Sequence, residues 1–200
     1  MDALDTLLEN NRKWAQRICA KQPDFFERLA LHQTPQYLWI GCADSRVSAS
    51  QIVDLPPGEI FVHRNIANMV VHSDLNCLSV IQYAVEVLHV EHVIVAGHYG
   101  CGGVTAALAA QEAGEEHGLM DSWLGHIRDV YRLYKDELHS IPDFEGRCEK
   151  LCELNVAEQV RNVVGMGMVK QARAQGQTLQ VHGWIYSMKD GLLRDLDIST

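Results

Sequence analysis

The chain has 200 residues, 47% of them hydrophobic, with 26 acidic against 17 basic side chains and a formal net charge of −9. That length suits one globular domain with a sizeable core, and the acidic balance, with no Lys/Arg-rich run, argues against a binder of nucleic-acid backbones. No stretch approaches the roughly 18 continuous apolar residues of a membrane span. Asp2, Asp5, Glu9, Arg12, Lys13 and Arg17 leave no apolar signal core in residues 1–20. A cytoplasmic, reducing setting is therefore expected. There the six cysteines read as metal ligands, catalytic groups or core thiols before disulfides.

Leu4, Leu7, Leu8, Trp14 and Ile18 fall near helical spacing and predict a first helix between Asp2 and Cys19. Gln22-Pro23-Asp24 stops it and starts a short second helix carrying Phe25, Phe26, Leu29 and Ala30. Residues 1–34 read as a helical arm packing on the outside of the domain or on a partner subunit. Tyr37–Ile40 is the first strand, Ser50–Val53 at most one helical turn, and Asp54-Leu55-Pro56-Pro57-Gly58 a tight turn. Glu59–Asn65 is the second strand. Asp74 caps a helix whose Leu75, Leu78, Ile81, Val85 and Leu88 follow the 3.6-residue period.

His92–Ala96 is continuous in apolar and β-branched residues, as a strand covered on both faces should be. Gly102 and Gly103 open a helix, residues 111–118 read as a solvated loop, and Met120–Leu138 as one long helix. That helix carries Trp123, Ile127, Val130 and Tyr134 on one side and ends at Ser140-Ile141-Pro142. Residues 147–175 are helical, broken near Gly165 and Gly167, and Thr178–Ile185 is the fourth strand. Lys189-Asp190-Gly191 turns the chain into an antiparallel edge strand, Leu192–Ile198. Strands separated by helices of this length require right-handed crossovers. The predicted fold is a single α/β domain over 1–200, with four mainly parallel strands, an antiparallel edge strand, helices on both faces and the N-terminal arm.

Two strand ends carry the chemistry: Gly41-Cys42-Ala43-Asp44-Ser45-Arg46 and Gly97-His98-Tyr99-Gly100-Cys101-Gly102-Gly103. Zinc prefers thiolate and imidazole, and His98-x-x-Cys101 in a glycine-rich loop supplies two adjacent corners of a tetrahedron. Cys42 adds a third corner from the other strand. Asp44 has two available roles. It can fill the fourth position and close the site, or Arg46 can hold it off the metal in a bidentate pair. The second arrangement leaves the position to water, whose pKa on zinc falls to about 7. Cys19, Cys77, Cys148 and Cys152 have no ligand partner nearby in sequence and read as core or surface thiols. His63, His72, His89, His92, His117, His126 and His139 read as surface or packing residues.

Cys-x-Asp-x-Arg after one strand and His-x-x-Cys-Gly-Gly after another resembles the β-class carbonic anhydrase family. The similarity extends to Asn10-Asn11, Trp39-Ile40-Gly41-Cys42, Phe61-Val62-His63-Arg64-Asn65, Asp74-Leu75-Asn76-Cys77, Cys152-Glu153-Leu154-Asn155 and His182-Gly183-Trp184, and it looks closest to bacterial members. The resemblance implies interconversion of carbon dioxide and bicarbonate, through hydroxide on one zinc ion per subunit held by Cys42, His98 and Cys101. It makes Asp44 and Arg46 the catalytic dyad. It puts the active site at a homodimer interface, within a dimer or tetramer, with Gln33, Phe61, Ile66 and Tyr83 lining the substrate pocket. Trp39, Arg64 and Tyr186, with Gly41, match a subgroup in which bicarbonate binds a separate pocket and favours Asp44 on zinc. For that subgroup, activity is expected to be higher above about pH 8, with bicarbonate inhibiting most below it.

Three departures stand out. Ser48 replaces a common proline, Ala96 replaces a larger residue, and the chain stops at Ile198-Ser199-Thr200, directly after the edge strand. Two alternative readings keep the same site: a zinc hydrolase of carbon disulfide, and a non-catalytic zinc or bicarbonate sensor closed by Asp44.

Overall fold

The computed structural model describes residues 2–113 and 118–200. The chain divides into two units, Met1–Thr34 and Pro35–Thr200. In the first, α1 (Ala3–Lys21) and α2 (Phe25–Leu31) are joined through Pro23. Asp2 and Asp5 form a reciprocal capping box at the start of α1. Trp14 meets Phe26 edge to face at 5.5 Å, and Phe25 meets Phe26 at 5.1 Å. No residue of either helix is buried, and Leu4, Leu7 and Leu8 stay exposed.

The second unit is built on a five-stranded sheet: β1 (Tyr37–Cys42), β2 (Ile60–Asn65), β3 (His92–His98), β4 (Gln180–Ser187) and β5 (Leu192–Asp195). The spatial order is β2-β1-β3-β4-β5, with β1, β2, β3 and β4 parallel and β5 antiparallel on the edge. The connection after β1 runs out to β2 on one side, whereas β3 lies on the other side of β1. The two directions part at the carboxyl ends of β1 and β3, the switch point at which open α/β sheets bind ligands.

Alternation along the strands sorts side chains to two faces. Leu38, Ile40, Val93, Val95, Val181 and Ile185 enter the main core. They meet residues of α4 (Leu75–Gln82), α5 (Gly102–Ala113), α6 (Met120–Leu133), α7 (Lys135–His139), α8 (Phe144–Gly165) and α9 (Gly167–Ala174). Trp39, Ile94 and Ala96 face the other way and pack with Ala49 of α3 (Ala49–Ile52), Trp184 and Leu193.

Local differences from the sequence reading have physical causes. Leu75 is 80% exposed, because Cys77, Ile81, Ala84 and Val85 take the buried face of that segment. After Gln82 the helix widens into a π turn, Tyr83–Val87. The long helix predicted over Met120–Leu138 breaks at Tyr134 (φ −115°, ψ 24°), whose ring and hydroxyl meet Arg161. Leu124, Ile127, Val130 and Tyr131 form its buried face, while Trp123 and Tyr134 are half-buried. Helix α5 runs to Ala113, into the predicted loop; residues 114–117, with His117, lie outside the described residues.

The edge strand ends at Asp195 because Asp197 takes a positive φ of 56°. Beyond it, Thr200 pairs with Val181 in both directions, and Ile198 packs over Gly183. A Cβ at Gly183 would sit 2.4 Å from Ile198 Cδ1 and 3.1 Å from Val156 Cγ1. Gly183→Ala is therefore expected to destabilise by about 1–3 kcal/mol through overpacking, read as a lower midpoint in denaturant. An unchanged midpoint would mean that Ile198 moves aside freely.

Candidate metal centre

Backbone geometry brings the two loops together. Gly41 lies opposite Ala96 in the β1–β3 register, so Cys42 leaves the sheet beside Gly97 and His98. Cys42, His98 and Cys101 are all buried, and their ligand atoms lie within 4.8 Å of one another. The two sulfurs are 3.9 Å apart. Two thiolates at tetrahedral angles around a zinc ion, with bonds of about 2.3 Å, sit about 3.8 Å apart.

His98 Nδ1 donates to the Tyr99 carbonyl at 3.0 Å, which leaves the Nε2 lone pair facing the cluster. That Nε2 is buried with no hydrogen-bond partner. A buried imidazole nitrogen without a partner is costly unless it serves as a ligand. The donor set, its spacing and this orphaned atom fit a zinc ion.

The charges follow the same pattern. Cys42 accepts a hydrogen bond from Cys101, is close to His98, and accepts from the Asp44 and Ala67 backbone N–H groups; its thiol is held well below the ordinary range. Cys101, beside that thiolate and buried, is pushed up. Burial opposes a charge on His98, but the Cys42 thiolate outweighs it and raises the imidazole. One proton shared between close sulfurs is what a metal would displace.

Asp44 stands at the rim. Arg46 donates to it three times: Nε to Oδ1 at 3.0 Å, Nη2 to Oδ2 at 2.7 Å and backbone N–H to Oδ1 at 2.9 Å. These bonds, Arg46 first, hold the Asp44 carboxyl far below the usual carboxylate range. Asp44 Oδ2 lies 3.8 Å from His98 Nε2, so the carboxylate borders the ligand cluster while paired to Arg46. Arg46 Nη2 also reaches the Gly100 carbonyl at 3.5 Å, joining the two loops.

Arg64 does something that its place in sequence does not announce. Its Nε donates to the Cys42 carbonyl at 2.8 Å, and its Nη2 to the Asp44 and Val47 carbonyls at 2.6 and 2.7 Å. The guanidinium thus splints the whole Cys42–Val47 loop. Trp39, Arg64 and Tyr186 share the sheet face opposite the main core, by strand alternation. Gly41 is small for a reason on that face: a Cβ there would stand 2.4 Å from Trp39 Nε1.

Phe61 and Tyr83 lie 5.7 Å apart ring to ring, and Ile66 and Tyr83 are 38% and 43% exposed. Periodicity alone would have placed both in the core. Gln33 belongs to the N-terminal unit and is exposed. A second cluster, His63, Asp74 and Cys77, escaped the sequence reading because its members come from a strand and a helix cap. Its atoms serve the fold: Asp74 Oδ1 caps α4 from Asn76 N–H at 3.0 Å, and His63 Nε2 meets Asn65 Nδ2 at 3.2 Å. Burial pushes the Cys77 thiol up to about 12, as an inert core thiol requires.

The family model described as carbonic anhydrase matches residues 37–193. A carbonic anhydrase of Emericella nidulans is 48% identical over 194 residues, spanning 97% of this chain and 83% of that protein. The β-carbonic anhydrase of Coccomyxa, solved with acetazolamide, superposes with a TM-score of 0.90 at 41% identity, covering 98% of this chain and 87% of that one. A tetrameric β-carbonic anhydrase of Sordaria macrospora reaches 0.94 at 36% identity, with full coverage of both chains.

Removing the Arg64 splint should loosen the loop locally. Hydrogen bonds to a charged group contribute about 1.5–3 kcal/mol each. Arg64→Met should therefore speed hydrogen exchange across residues 43–48 by about tenfold or more, with β3 still protected. Unaltered exchange there would show that the three carbonyl bonds do not order the loop.

Proposed function

Because this chain belongs to the β-class carbonic anhydrase family, we propose that Cys42, His98 and Cys101 hold one zinc ion and that Asp44 and Arg46 form the catalytic dyad beside it. The activity is that of the class, carbonic anhydrase: carbon dioxide and water exchange with bicarbonate and a proton. The observation that carries the assignment of residues is the buried, partnerless His98 Nε2 facing two sulfurs 3.9 Å apart. When bound, zinc supplies a Lewis acid that makes a nucleophile available from water at neutral pH.

The chain's own groups do the rest. Arg46 keeps Asp44 ionised and turned toward itself, so one carboxylate oxygen can accept a proton at the rim of the cluster without filling the metal's fourth position. That pairing favours an open site over a permanently closed sensor. Phe61, Ile66 and Tyr83 offer an apolar wall that suits carbon dioxide, a small molecule without charge. Gln33 adds an amide to the pocket from the helical arm of a partner subunit. The exposed leucines of α1 and the exposed Ile66 and Tyr83 support an assembly of dimers that shares the site, in keeping with the tetrameric Sordaria relative. Residues 1–34 would then be an arm for that assembly. No helix among the described residues is long and apolar enough to cross a membrane. A cytoplasmic location remains part of this reading.

Regulation by bicarbonate is the finer part of the proposal. The relatives named above come from Emericella, Coccomyxa and Sordaria, so a bacterial regulated subgroup rests on Trp39, Gly41, Arg64 and Tyr186 alone. Arg64 supplies a route: an anion that recruits its Nη2 competes with the Asp44 and Val47 carbonyls. Releasing those carbonyls frees the loop on which Asp44 exchanges Arg46 for the metal.

Stopped-flow hydration of carbon dioxide tests the assignment. Zinc-loaded protein should be active, chelator-stripped protein inactive, and Cys42→Ser or Cys101→Ser should fail to retain zinc. Asp44→Asn should keep zinc and lose about a hundredfold or more in kcat. A fully active Asp44→Asn enzyme would remove Asp44 from the chemistry. For regulation, Tyr186→Phe and Trp39→Phe should relieve bicarbonate inhibition below about pH 8, where the open metal site forms least readily. Inhibition equal to that of the parent protein would rule out the pocket.

A further inference from the structure

One short turn touches all three segments that bear the proposed ligands. Ile66–Asn68 follows β2 as a 3-10 turn, with Ala67 and Asn68 both in the left-handed region, at φ 64° and 49°. Successive non-glycine residues with positive φ are strained and persist only where the surroundings impose them. Ala43 N–H, next to Cys42, bonds the Asn65 carbonyl at the head of the turn at 2.8 Å, and the Ala67 N–H is among the groups that lower the Cys42 thiol. Asn68 Oδ1 lies 3.5 Å from where a Cβ on Gly97 would stand, just before His98. Ile66 Cγ2 and Ala67 Cβ would be 2.8 and 3.4 Å from a Cβ on Gly103, just past Cys101. The turn lies between the two loops, and glycine at position 103 lets Ile66 sit there, whereas a side chain at Gly97 would meet Val156 first, at 2.5 Å.

Side chains hold the turn rather than backbone pairing. The Ile66 carbonyl accepts from Trp123 Nε1 at 2.9 Å, that of Ala67 from Asn155 Nδ2 at 3.0 Å, and that of Val70 from Asn162 Nδ2 at 3.1 Å. Asn65 closes the span by bonding both N–H and C=O of Met69, at 2.7 and 2.8 Å. Three of the residues involved stand one helical turn apart on α8: Asn155, Gln159 and Asn162. Gln159 Nε2 donates to Asn155 Oδ1 at 3.0 Å, while its Oε1 accepts from Val70 N–H at 2.8 Å and from Asn162 Nδ2 at 3.2 Å. Asn155 and Gln159 are each 1% exposed. A column of amides inside a helix otherwise lined by Leu151, Val156, Val160 and Val163 is costly to bury unless every group is matched. Here the matches run to the backbone of one strained turn.

We propose that the buried amide column of α8, with Asn155 at its head, positions the metal centre by holding Ala67 in its left-handed conformation, so that its N–H is aimed at the Cys42 sulfur. Asn155 is a positioning residue: it reaches the metal through Ala67 and touches neither ligand nor substrate. The inference rests on the reading that Cys42 is a zinc ligand. Outer partners of metal ligands typically change affinity ten- to a hundredfold when removed.

The test uses full-length protein loaded with zinc, cobalt or cadmium. Asn155→Leu and Asn155→Asp are expected to lower zinc affinity, measured by chelator competition, by about ten- to a hundredfold. In the cobalt-substituted forms the thiolate-to-cobalt charge-transfer band should shift, since the hydrogen bond to sulfur tunes it. Val160→Ala thins the same helix and spares the amides; it should lose stability with zinc affinity within about twofold of the parent. In the cadmium form of the parent protein, the Ala67 amide proton should show coupling to the metal through the hydrogen bond to sulfur. That measurement decides the matter even if the Asn155 variants do not fold. Parent-like affinity and an unshifted band in the Asn155 variants would overturn the proposal, as would absent coupling at Ala67. An equal affinity loss in Val160→Ala would overturn it too. If the parent itself binds none of the three metals, the ligand assignment fails, and this inference fails with it.

Discussion

β1 and β3 lie side by side and parallel, with Gly41 opposite Ala96, while the chain between them detours through β2 on the far side of β1. Parallel neighbours without intervening helix leave the sheet at the same edge and height, so Cys42 and His98 emerge together. Two loops that depart in opposite directions open a gap there, and Cys42, His98 and Cys101 gather in it. The 3.9 Å between the sulfurs of Cys42 and Cys101 is a consequence of that register as much as of the loops themselves.

Once the gap exists, its walls need charge control. Thiolates in a buried place repel one another, and the structure answers with donors: the shared proton of Cys101 and the backbone N–H groups of Asp44 and Ala67. The carboxylate of Asp44 would add a further negative charge at the rim, and Arg46 neutralises it with three bonds. Arg46 is 59% exposed and Asp44 15%, so solvent weakens the pair. Arg64 works on backbone carbonyls rather than on charge. It spends three bonds on one loop, and the order of that loop depends on an arginine two strands' width from the thiol of Cys101.

How much of this could be read beforehand varied with the kind of residue. Strand cores were legible because Tyr37–Ile40 and His92–Ala96 are apolar runs bounded by glycine, and both are strands in the fold. Segment ends were less so: a helix breaks at Tyr134, whose hydroxyl meets Arg161 from a distant helix, and the edge strand ends just before Asp197, which takes a positive φ. Neither signal is local. Leu75 keeps the helical period yet points to solvent, since period alone cannot say which stripe faces the sheet. Cys42, His98 and Cys101 stood out as candidate ligands because Cys and His in glycine-rich loops have few other uses. Asn155 and Gln159 did not, because an amide on a helix reads as surface until its partners are known.

By itself the sequence determined the fold class, the three candidate soft ligands and the neighbouring Asp44–Arg46 pair, because each depends on short-range spacing: period, turn residues and i+2 reach. Tertiary structure decided that Asp44 and Arg46 meet in a bidentate pair, on a loop whose carbonyls are bonded by Arg64. It also decided that Ile66 and Tyr83 lie exposed rather than in the core. The same holds for the amides of α8, which bond the backbone of the strained turn and of Val70 just after it. These outcomes depend on groups as far apart in the chain as Ala67 and Asn155, and no local pattern encodes a contact across that separation.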